Sequence, residues 1–107
     1  MINFNNDVQT KVLDEYTQRK VMGSTSSLML VEITFKKDGV GATHSHEAHE
    51  QVSYIVKGSF EVTLGDEVKV LKAGDSFSAG FNVPHGVKAL EDSIIIDSFT
   101  PLRQDFL

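Results

Sequence analysis

The chain has 107 residues, a length that suits one domain with a real hydrophobic core but not two. Its formal net charge is −5 and its basic residues are scattered, so we expect no nucleic-acid partner. It has no cysteine, which excludes disulfides, thiolate metal ligands and iron–sulfur chemistry. The start lacks a basic region followed by an apolar stretch, and no segment is long and apolar enough for a bilayer. We therefore expect a soluble, cytoplasmic protein with no membrane partner.

The first segment with a pattern runs from Val8 to Lys20. Asp7 could cap a helix here, but Val12, Leu13 and Tyr16 form only a weak apolar stripe. An extra edge strand is an equally good interpretation. In either case, residues 1–26 are expected to form a short N-terminal arm.

From Ser27 onward, short β-rich segments alternate with turn residues such as Lys57-Gly58, Gly65-Asp66 and Gly74-Asp75. This spacing predicts an all-β sandwich or barrel with several hairpins. No repeat or linker interrupts it, so we expect one domain over residues 1–107, with the barrel at 27–99 and a tail at 100–107. The predicted strands are 28–35, 51–56, 59–64, 68–71, 76–79, 87–90 and 93–99.

All four histidines fall in two places along the chain. His44, His46 and His49 lie in the run from Thr43 to Gln51, and His85 ends the segment Gly80-Phe81-Asn82-Val83-Pro84-His85. Residues two apart on a strand point to the same face, so His44 and His46 could bind one ion from a single strand. With a distant third imidazole, this pattern predicts a divalent metal site. The alternative is that these histidines are ordinary polar surface residues.

The spacing around these histidines resembles the two sequence motifs of the cupins, which are small double-sheet jelly-roll barrels. The positions that carry the resemblance are Gly41, His44, His46, Gln51, Gly58, Gly74-Asp75 and Pro84-His85. The resemblance implies that His44, His46 and His85 bind the metal, together with an acid or amide from the first motif. It also implies a homodimer, because such domains often pair their sheets with a second copy.

The third ligand of the first motif is usually glutamate, and this chain offers both Glu50 and Gln51. Strand parity cannot choose between them, because residues 47–50 are expected to loop and reset the alternation. The distance from Gln51 to Gly58 matches the motif and favours Gln51, while His49 remains a spare ligand. The second motif departs from the usual pattern, with Gly80 and Asn82 where proline and glycine are common.

Three imidazoles and a neutral amide would leave the full charge of a divalent ion unneutralised. Such a site should favour an anionic oxygen ligand, for example a substrate carboxylate, or polarise a hydroxyl. The donor set does not determine the metal, and nickel, zinc, manganese and iron all suit it.

The last predicted strand, 93–99, places an acid among apolar residues. Ile95, Asp97 and Phe99 share one face by the period of two. If that face lines the barrel, burial raises the pKa of Asp97 and makes it a candidate general acid and base. Arg103, beyond Pro101, could reach back and bind a substrate carboxylate. Alternatively, Asp97 bonds to a turn and Arg103 is solvated.

A narrower resemblance, to the KdgF-type cupins of pectin and alginate breakdown, covers nearly the whole chain. It is clearest at 43–52 and in the ending from Asp97 to Phe106, and weaker at Arg19-Lys20-Val21-Met22-Gly23. It implies an enzyme that converts 4,5-unsaturated uronate monosaccharides to their linear keto form. The implied metal ligands are His44, His46, Gln51 and His85, and the implied catalytic residues are Asp97, Phe99 and Arg103. The alternatives are a metal-dependent dioxygenase of quercetinase type and a non-catalytic sugar-binding or regulatory cupin.

Overall fold

A computed structural model describes all 107 residues, which form ten strands and two short 3-10 helices. Neither helix is long or apolar enough to cross a membrane. The strands are β1 (Lys11–Val12), β2 (Thr17–Ser24), β3 (Met29–Phe35), β4 (Val40–His44), β5 (Glu50–Lys57), β6 (Ser59–Leu64), β7 (Glu67–Lys72), β8 (Ser76–Ala79), β9 (His85–Ala89) and β10 (Ser93–Thr100). The 3-10 helices span Asn5–Asp7 and Gln104–Phe106.

The strands form two antiparallel sheets, which confirms the expected all-β double-sheet architecture. One sheet has six strands in the order β1-β2-β3-β10-β5-β8, and the other has four in the order β4-β9-β6-β7. Burial alternates along the central strands because successive side chains point to opposite faces. The seven predicted strands are all present, and the turns between them have positive φ at Gly58, Gly65 and Gly74.

The N-terminal segment forms two strands, β1 and the start of β2, and no helix. The side chain of Asp14 accepts hydrogen bonds from the backbone N–H groups of Tyr16 and Thr17, at 2.7 and 2.9 Å. This Asx-type turn reverses the chain, so β1 and β2 pair with each other and β2 pairs with β3. Of the two interpretations that the sequence left open, the edge strand is correct.

One strand, β4, is missing from the seven predicted segments, although a strand carrying His44 and His46 was expected, and its partner β9 begins two residues earlier than predicted. The residues of β4 are mostly small and largely exposed, so the segment carries little intrinsic strand signal. Strand β4 forms because this segment pairs with β9. A Cβ atom at Gly86 of β9 would lie 2.5 Å from Thr43 Oγ1, so the absence of a side chain there permits the close approach of the two strands.

Two apolar clusters fill the space between the sheets. The larger one includes Phe35 and Phe60, whose rings meet edge to face at 5.2 Å. The smaller one consists of Met29, Val31 and Phe99, with the tail residues Leu102 and Phe106 packed against it. Along β10, Asp97 lies between Ile95 of the larger cluster and Phe99 of the smaller one. Asp97 therefore lies where the two apolar clusters meet.

Candidate metal centre

Three of the four histidines converge. His44 ends β4, His85 begins β9, and the two are paired in the register of the four-stranded sheet. His46 lies in the loop after β4, so the expectation that His44 and His46 share one strand is wrong. One ligand atom from each of His44, His46 and His85 lies within 4.8 Å of the others, and the cluster can hold a metal ion.

Hydrogen bonds to backbone carbonyls orient two of the rings, and a side-chain hydrogen bond orients the third. Nδ1 of His44 lies 2.7 Å from the carbonyl of Ala42, and Nδ1 of His85 lies 3.0 Å from the carbonyl of Val83. A carbonyl only accepts, so these bonds favour the tautomer with the hydrogen on Nδ1 and a lone pair on Nε2 in the neutral ring. His46 Nε2 accepts from Arg103 Nη1 at 3.2 Å, so it too is a lone-pair atom. All three Nε2 atoms thus present a lone pair in this tautomer, and a cation bound at His46 would replace the Arg103 N–H as the partner of that lone pair.

The two acid or amide candidates of the first motif are separated by strand alternation. Glu50 begins β5 with its side chain exposed, whereas Gln51 is 6% exposed and points into the barrel. Gln51 Nε2 donates to Ser53 Oγ at 2.9 Å, which leaves Gln51 Oε1 facing His85 Nε2 at 3.1 Å. In the tautomer that the Val83 bond favours, His85 has no hydrogen to give to Gln51 Oε1, so both atoms are available to a cation. The donor set therefore fits a divalent cation that takes nitrogen and oxygen ligands.

The surroundings keep two of these histidines neutral. Burial, reinforced by the charge of Arg103 and by the neighbouring histidines, lowers the pKa of His46 to about 4. Burial also lowers the pKa of His85, against an opposing contribution from the hydrogen bond to Val83. Both imidazoles are therefore available to a metal at neutral pH without first losing a proton.

A chain of hydrogen bonds leads from this cluster to Asp97. Gln51 Nε2 donates to Ser53 Oγ, and Ser53 Oγ donates to Asp97 Oδ1 at 2.6 Å. Asp97 is 7% exposed, on the inward face that the sequence predicted for it. Burial raises the pKa of Asp97 to about 6, even though the bond from Ser53 and the nearby positive charges lower it. A carboxyl group with such a pKa can both accept and donate a proton near neutrality.

The tail brings Arg103 to the same place. Besides its bond to His46, Arg103 forms a bidentate ion pair with Asp105, through Nε at 3.0 Å and Nη2 at 2.8 Å. Its side chain is only 15% exposed, so the alternative of a solvated Arg103 is wrong. Asp97 bonds to Ser53 inside the barrel and not to a turn, so that alternative is wrong as well.

Two further residues support this arrangement. Phe99 is 3% exposed, its ring lies edge-on to His46 at 6.3 Å, and the Arg103 guanidinium lies 5.4 Å from its centre. His49, the spare ligand of the sequence interpretation, lies outside the metal cluster. Its Nε2 lies 3.0 Å from the carbonyl of Leu102 and so attaches the tail to the loop after β4.

The unusual second motif also has a structural explanation. Asn82 has a φ of 63°, a left-handed conformation that glycine adopts readily and that asparagine tolerates better than most residues. Its backbone N–H donates to the carbonyl of His46 at 2.7 Å. The turn before His85 therefore also fixes the loop that presents His46.

Sequence reasoning missed two residues of this network, Ser53 and Asp105. Ser53 could have been found, because it lies two residues after Gln51 and therefore on the same face of the strand. Asp105 had no comparable signal, since its role depends on how the tail folds back.

Comparison with known proteins places these features in context. The family model described as "Cupin domain" matches residues 31–97, which include the three converging histidines, Gln51 and Asp97. The pectin degradation protein KdgF of Dickeya dadantii is 42% identical over 96 residues, covering 89% of this chain and 87% of that protein. The structure of KdgF from Halomonas sp. superposes with a TM-score of 0.97 at 40% identity, covering 100% of this chain and 98% of that one. An RmlC-like cupin from Shewanella frigidimarina gives a TM-score of 0.95 at 38% identity, covering 99% and 95%.

Proposed function

This chain belongs to the cupin family and resembles the KdgF proteins within it, and from that premise we propose that it is a metal-dependent enzyme acting on unsaturated uronates. The proposed reaction converts a 4,5-unsaturated uronate monosaccharide to its linear keto form. The observation that carries the proposal is the meeting of a buried carboxyl group, Asp97, and a guanidinium, Arg103, at a cluster of neutral metal ligands.

The proposed ligands of one divalent ion are His44, His46, His85 and Gln51. When bound, the ion would supply Lewis-acid polarisation of a substrate oxygen. All four ligand side chains are neutral in this role, and Arg103 adds a positive charge beside His46. The site as a whole therefore favours an anion. A uronate carries its carboxylate next to the double bond that reacts, so an acid sugar matches this charge better than a neutral sugar does.

Arg103 is the proposed anchor for the substrate carboxylate. Its guanidinium has five N–H groups, of which two bind Asp105 and one binds His46, whose Nε2 would release that N–H on ligating the ion. One N–H on each of Nη1 and Nη2 remains free, and a planar pair of donors suits a carboxylate. Phe99 supplies the apolar wall of the substrate site and packs beside both His46 and Arg103.

Asp97 is the proposed proton carrier. The reaction is an isomerisation in which the C1 hydroxyl loses a proton, the bond between C1 and the ring oxygen breaks, and carbon C4 gains a proton as the enol becomes a ketone. One carboxyl group that first accepts and then donates satisfies this balance without an outside reagent. The raised pKa of Asp97, about 6, matches that double role. Ser53 would hold Oδ1, leaving Oδ2 to face the substrate.

The test is the loss of ultraviolet absorbance of the C4–C5 double bond in a freshly prepared unsaturated uronate. The spontaneous rearrangement without protein gives the background rate. We expect metal-dependent acceleration by the wild-type chain, and none above background from Asp97→Ala or Asp97→Asn when metal content is unchanged. Asp66→Asn, an exposed aspartate in the turn before β7, is the matched control and should behave as wild type. Full activity in the Asp97 variants would overturn the assignment of the proton carrier.

The same samples separate the rival functions. A dioxygenase would consume oxygen with a phenolic substrate, measured by an oxygen electrode, whereas the proposed isomerisation consumes none. A non-catalytic sugar-binding protein would be stabilised by the uronate without forming product. Either result, in the absence of uronate turnover, would contradict the proposal.

We also propose that the protein is a homodimer that pairs its six-stranded sheets. The outer face of β5 exposes Val52, Tyr54 and Val56, and Leu30 of β3 lies on the same face two strands away. A row of exposed apolar residues on a central strand suits a two-fold contact with a second copy. Sedimentation velocity should show a dimer that Tyr54→Lys dissociates. Val70→Lys, on the outer face of the other sheet, should leave it intact; a monomeric wild type would contradict this proposal.

A further inference from the structure

The chain contains only two arginines, and the fold brings both to one aromatic ring in the tail. The guanidinium of Arg19, on β2, lies 3.9 Å from the centre of the Phe106 ring, and that of Arg103 lies 4.3 Å from it. Both distances are within the range of cation–π interactions. Two positive charges on one ring repel each other, so the arrangement requires a nearby negative charge.

Asp105 supplies that charge. It precedes Phe106 in the 3-10 helix Gln104–Phe106 and pairs with Arg103 through two hydrogen bonds, one to each of its carboxylate oxygens. Its carboxylate also interacts favourably with Arg19. Asp105 is 61% exposed, and a single exposed ion pair contributes little to stability. The two hydrogen bonds of this pair fix the orientation of the guanidinium. The pair therefore serves to orient Arg103 more than to stabilise the fold.

The edge of the guanidinium that Asp105 binds determines the direction in which the rest of Arg103 points. Asp105 binds the Nε and Nη2 edge of Arg103, and Nη1 consequently points to His46 of the metal cluster. Phe106 limits movement of the guanidinium on one side, and the tail is held by His49 and by the packing of Leu102. Without Asp105, no hydrogen bond would hold the Nε edge of Arg103. The direction of its free N–H groups would then be restrained only by Phe106 and His46.

We propose that Asp105 is a positioning residue, which acts through Arg103 to present free guanidinium N–H groups to the substrate carboxylate at the metal cluster. The substrate part of this inference rests on the proposed function. The orientation of Arg103 can be tested without any substrate.

The first experiment measures hydrogen exchange at the arginine side chains by ¹⁵N-resolved NMR. Only two Nε–H signals are present, and Arg19→Lys assigns them. In the wild type, the Arg103 Nε–H is bonded to Asp105 and should exchange slowly with water. Asp105→Asn should accelerate its exchange by about tenfold, the factor expected for losing about 1.4 kcal/mol of interaction. Asp105→Glu should restore slow exchange in part, and Asp66→Asn should change nothing. Unchanged exchange in Asp105→Asn would overturn the proposal.

The second experiment measures kinetics with the unsaturated uronate on the metal-loaded protein. Asp105→Asn should raise KM by about tenfold and affect kcat much less, because a weakened carboxylate anchor acts on binding. In an Arg103→Lys background, Asp105→Asn should have almost no further effect, since Asp105 acts through Arg103. If the effects of the two substitutions on KM were additive, Asp105 would not act through Arg103.

Together, the two experiments distinguish a failure of the proposed function from a failure of the proposed role of Asp105. If the wild type does not accelerate the uronate reaction, the proposed function fails, and the NMR result still decides whether Asp105 orients Arg103. If the wild type is active and Asp105→Asn has wild-type exchange and KM, the proposed function stands and the positioning role of Asp105 is rejected.

Discussion

Gln51 and His85 come from different sheets and face each other across the barrel, with Gln51 Oε1 3.1 Å from His85 Nε2. The hydrogen bonds behind them orient both atoms as acceptors. The Gln51 amide donates to Ser53, and the Nδ1 atom of His85 donates to Val83. Both side chains are proposed ligands of the same cation, so the metal site draws on both sheets.

Two substitutions of Gln51 test its role as a metal ligand and the importance of its neutral charge. Gln51→Ala removes a neutral oxygen ligand and should weaken metal binding by about tenfold to a hundredfold, measured by competition with a chelator. Gln51→Glu should retain the metal but lower turnover of an acid substrate, because its carboxylate neutralises part of the charge of the ion. Gln18→Ala, exposed on β2, is the control. Metal affinity that is unchanged in Gln51→Ala would show that Gln51 is not a ligand.

His85 and His49 form a second matched pair. His85→Ala removes a buried imidazole of the cluster and should reduce metal affinity by at least about a hundredfold. His49→Ala should bind metal as the wild type does, because its Nε2 is bonded to the tail and not directed at the cluster. Metal content by atomic absorption after dialysis distinguishes them. Equal loss in both variants would make His49 a ligand after all.

The buried carboxyl of Asp97 should make stability depend on pH in a particular direction. Its folded pKa, about 6, is above the ordinary value of 3.8, so the folded state holds this proton more tightly than the unfolded state. The contribution of Asp97 to stability is therefore fully present below pH ~4 and is lost as pH rises toward ~6. The difference between these pKa values corresponds to at most about 3 kcal/mol.

Asp97→Asn isolates this contribution, because the histidine titrations are common to both proteins. In metal-free protein, the stability of Asp97→Asn relative to wild type should rise between pH ~4 and ~7, measured by urea unfolding at each pH. Asp66→Asn should show a difference from wild type that does not vary over that range. A flat profile for Asp97→Asn would mean that the pKa of Asp97 is not raised.

Gly86 should be intolerant of any side chain. Its added Cβ would lie 2.5 Å from Thr43 Oγ1 and 2.9 Å from the Thr43 backbone, so β4 and β9 would have to separate. Gly86→Ala should cost about 1–3 kcal/mol of unfolding free energy and weaken metal binding, because His44 and His85 lie on these two strands. Gly80→Ala, where the new methyl group meets nothing within 4 Å, is the control. Thermal unfolding with and without metal measures both effects, and a Gly86→Ala protein as stable as the control would contradict the close contact.

Much of the fold was predictable because its signals are local. The alternation along β10 predicted that Ile95, Asp97 and Phe99 share the inward face, and burial confirms it. The turn residues predicted the boundaries of the central strands. Strand β4 was missed because its small, exposed residues become a strand only by pairing with β9, whose partner residues lie 41 to 48 positions further along the chain, beyond any local window.

The sequence by itself determined the chemistry available to this protein: four histidines in two places, no cysteine, one acid in an apolar strand and two arginines. It also indicated the double-sheet architecture, because strand periodicity and turn residues are read from neighbouring positions. Only the tertiary structure decided that Gln51 and not Glu50 points inward, that Ser53 links it to Asp97, and that Asp105 holds Arg103 beside His46. These relationships depend on where loops restart the strand alternation and on how the tail folds back. Both are set by contacts between residues that are distant in the sequence.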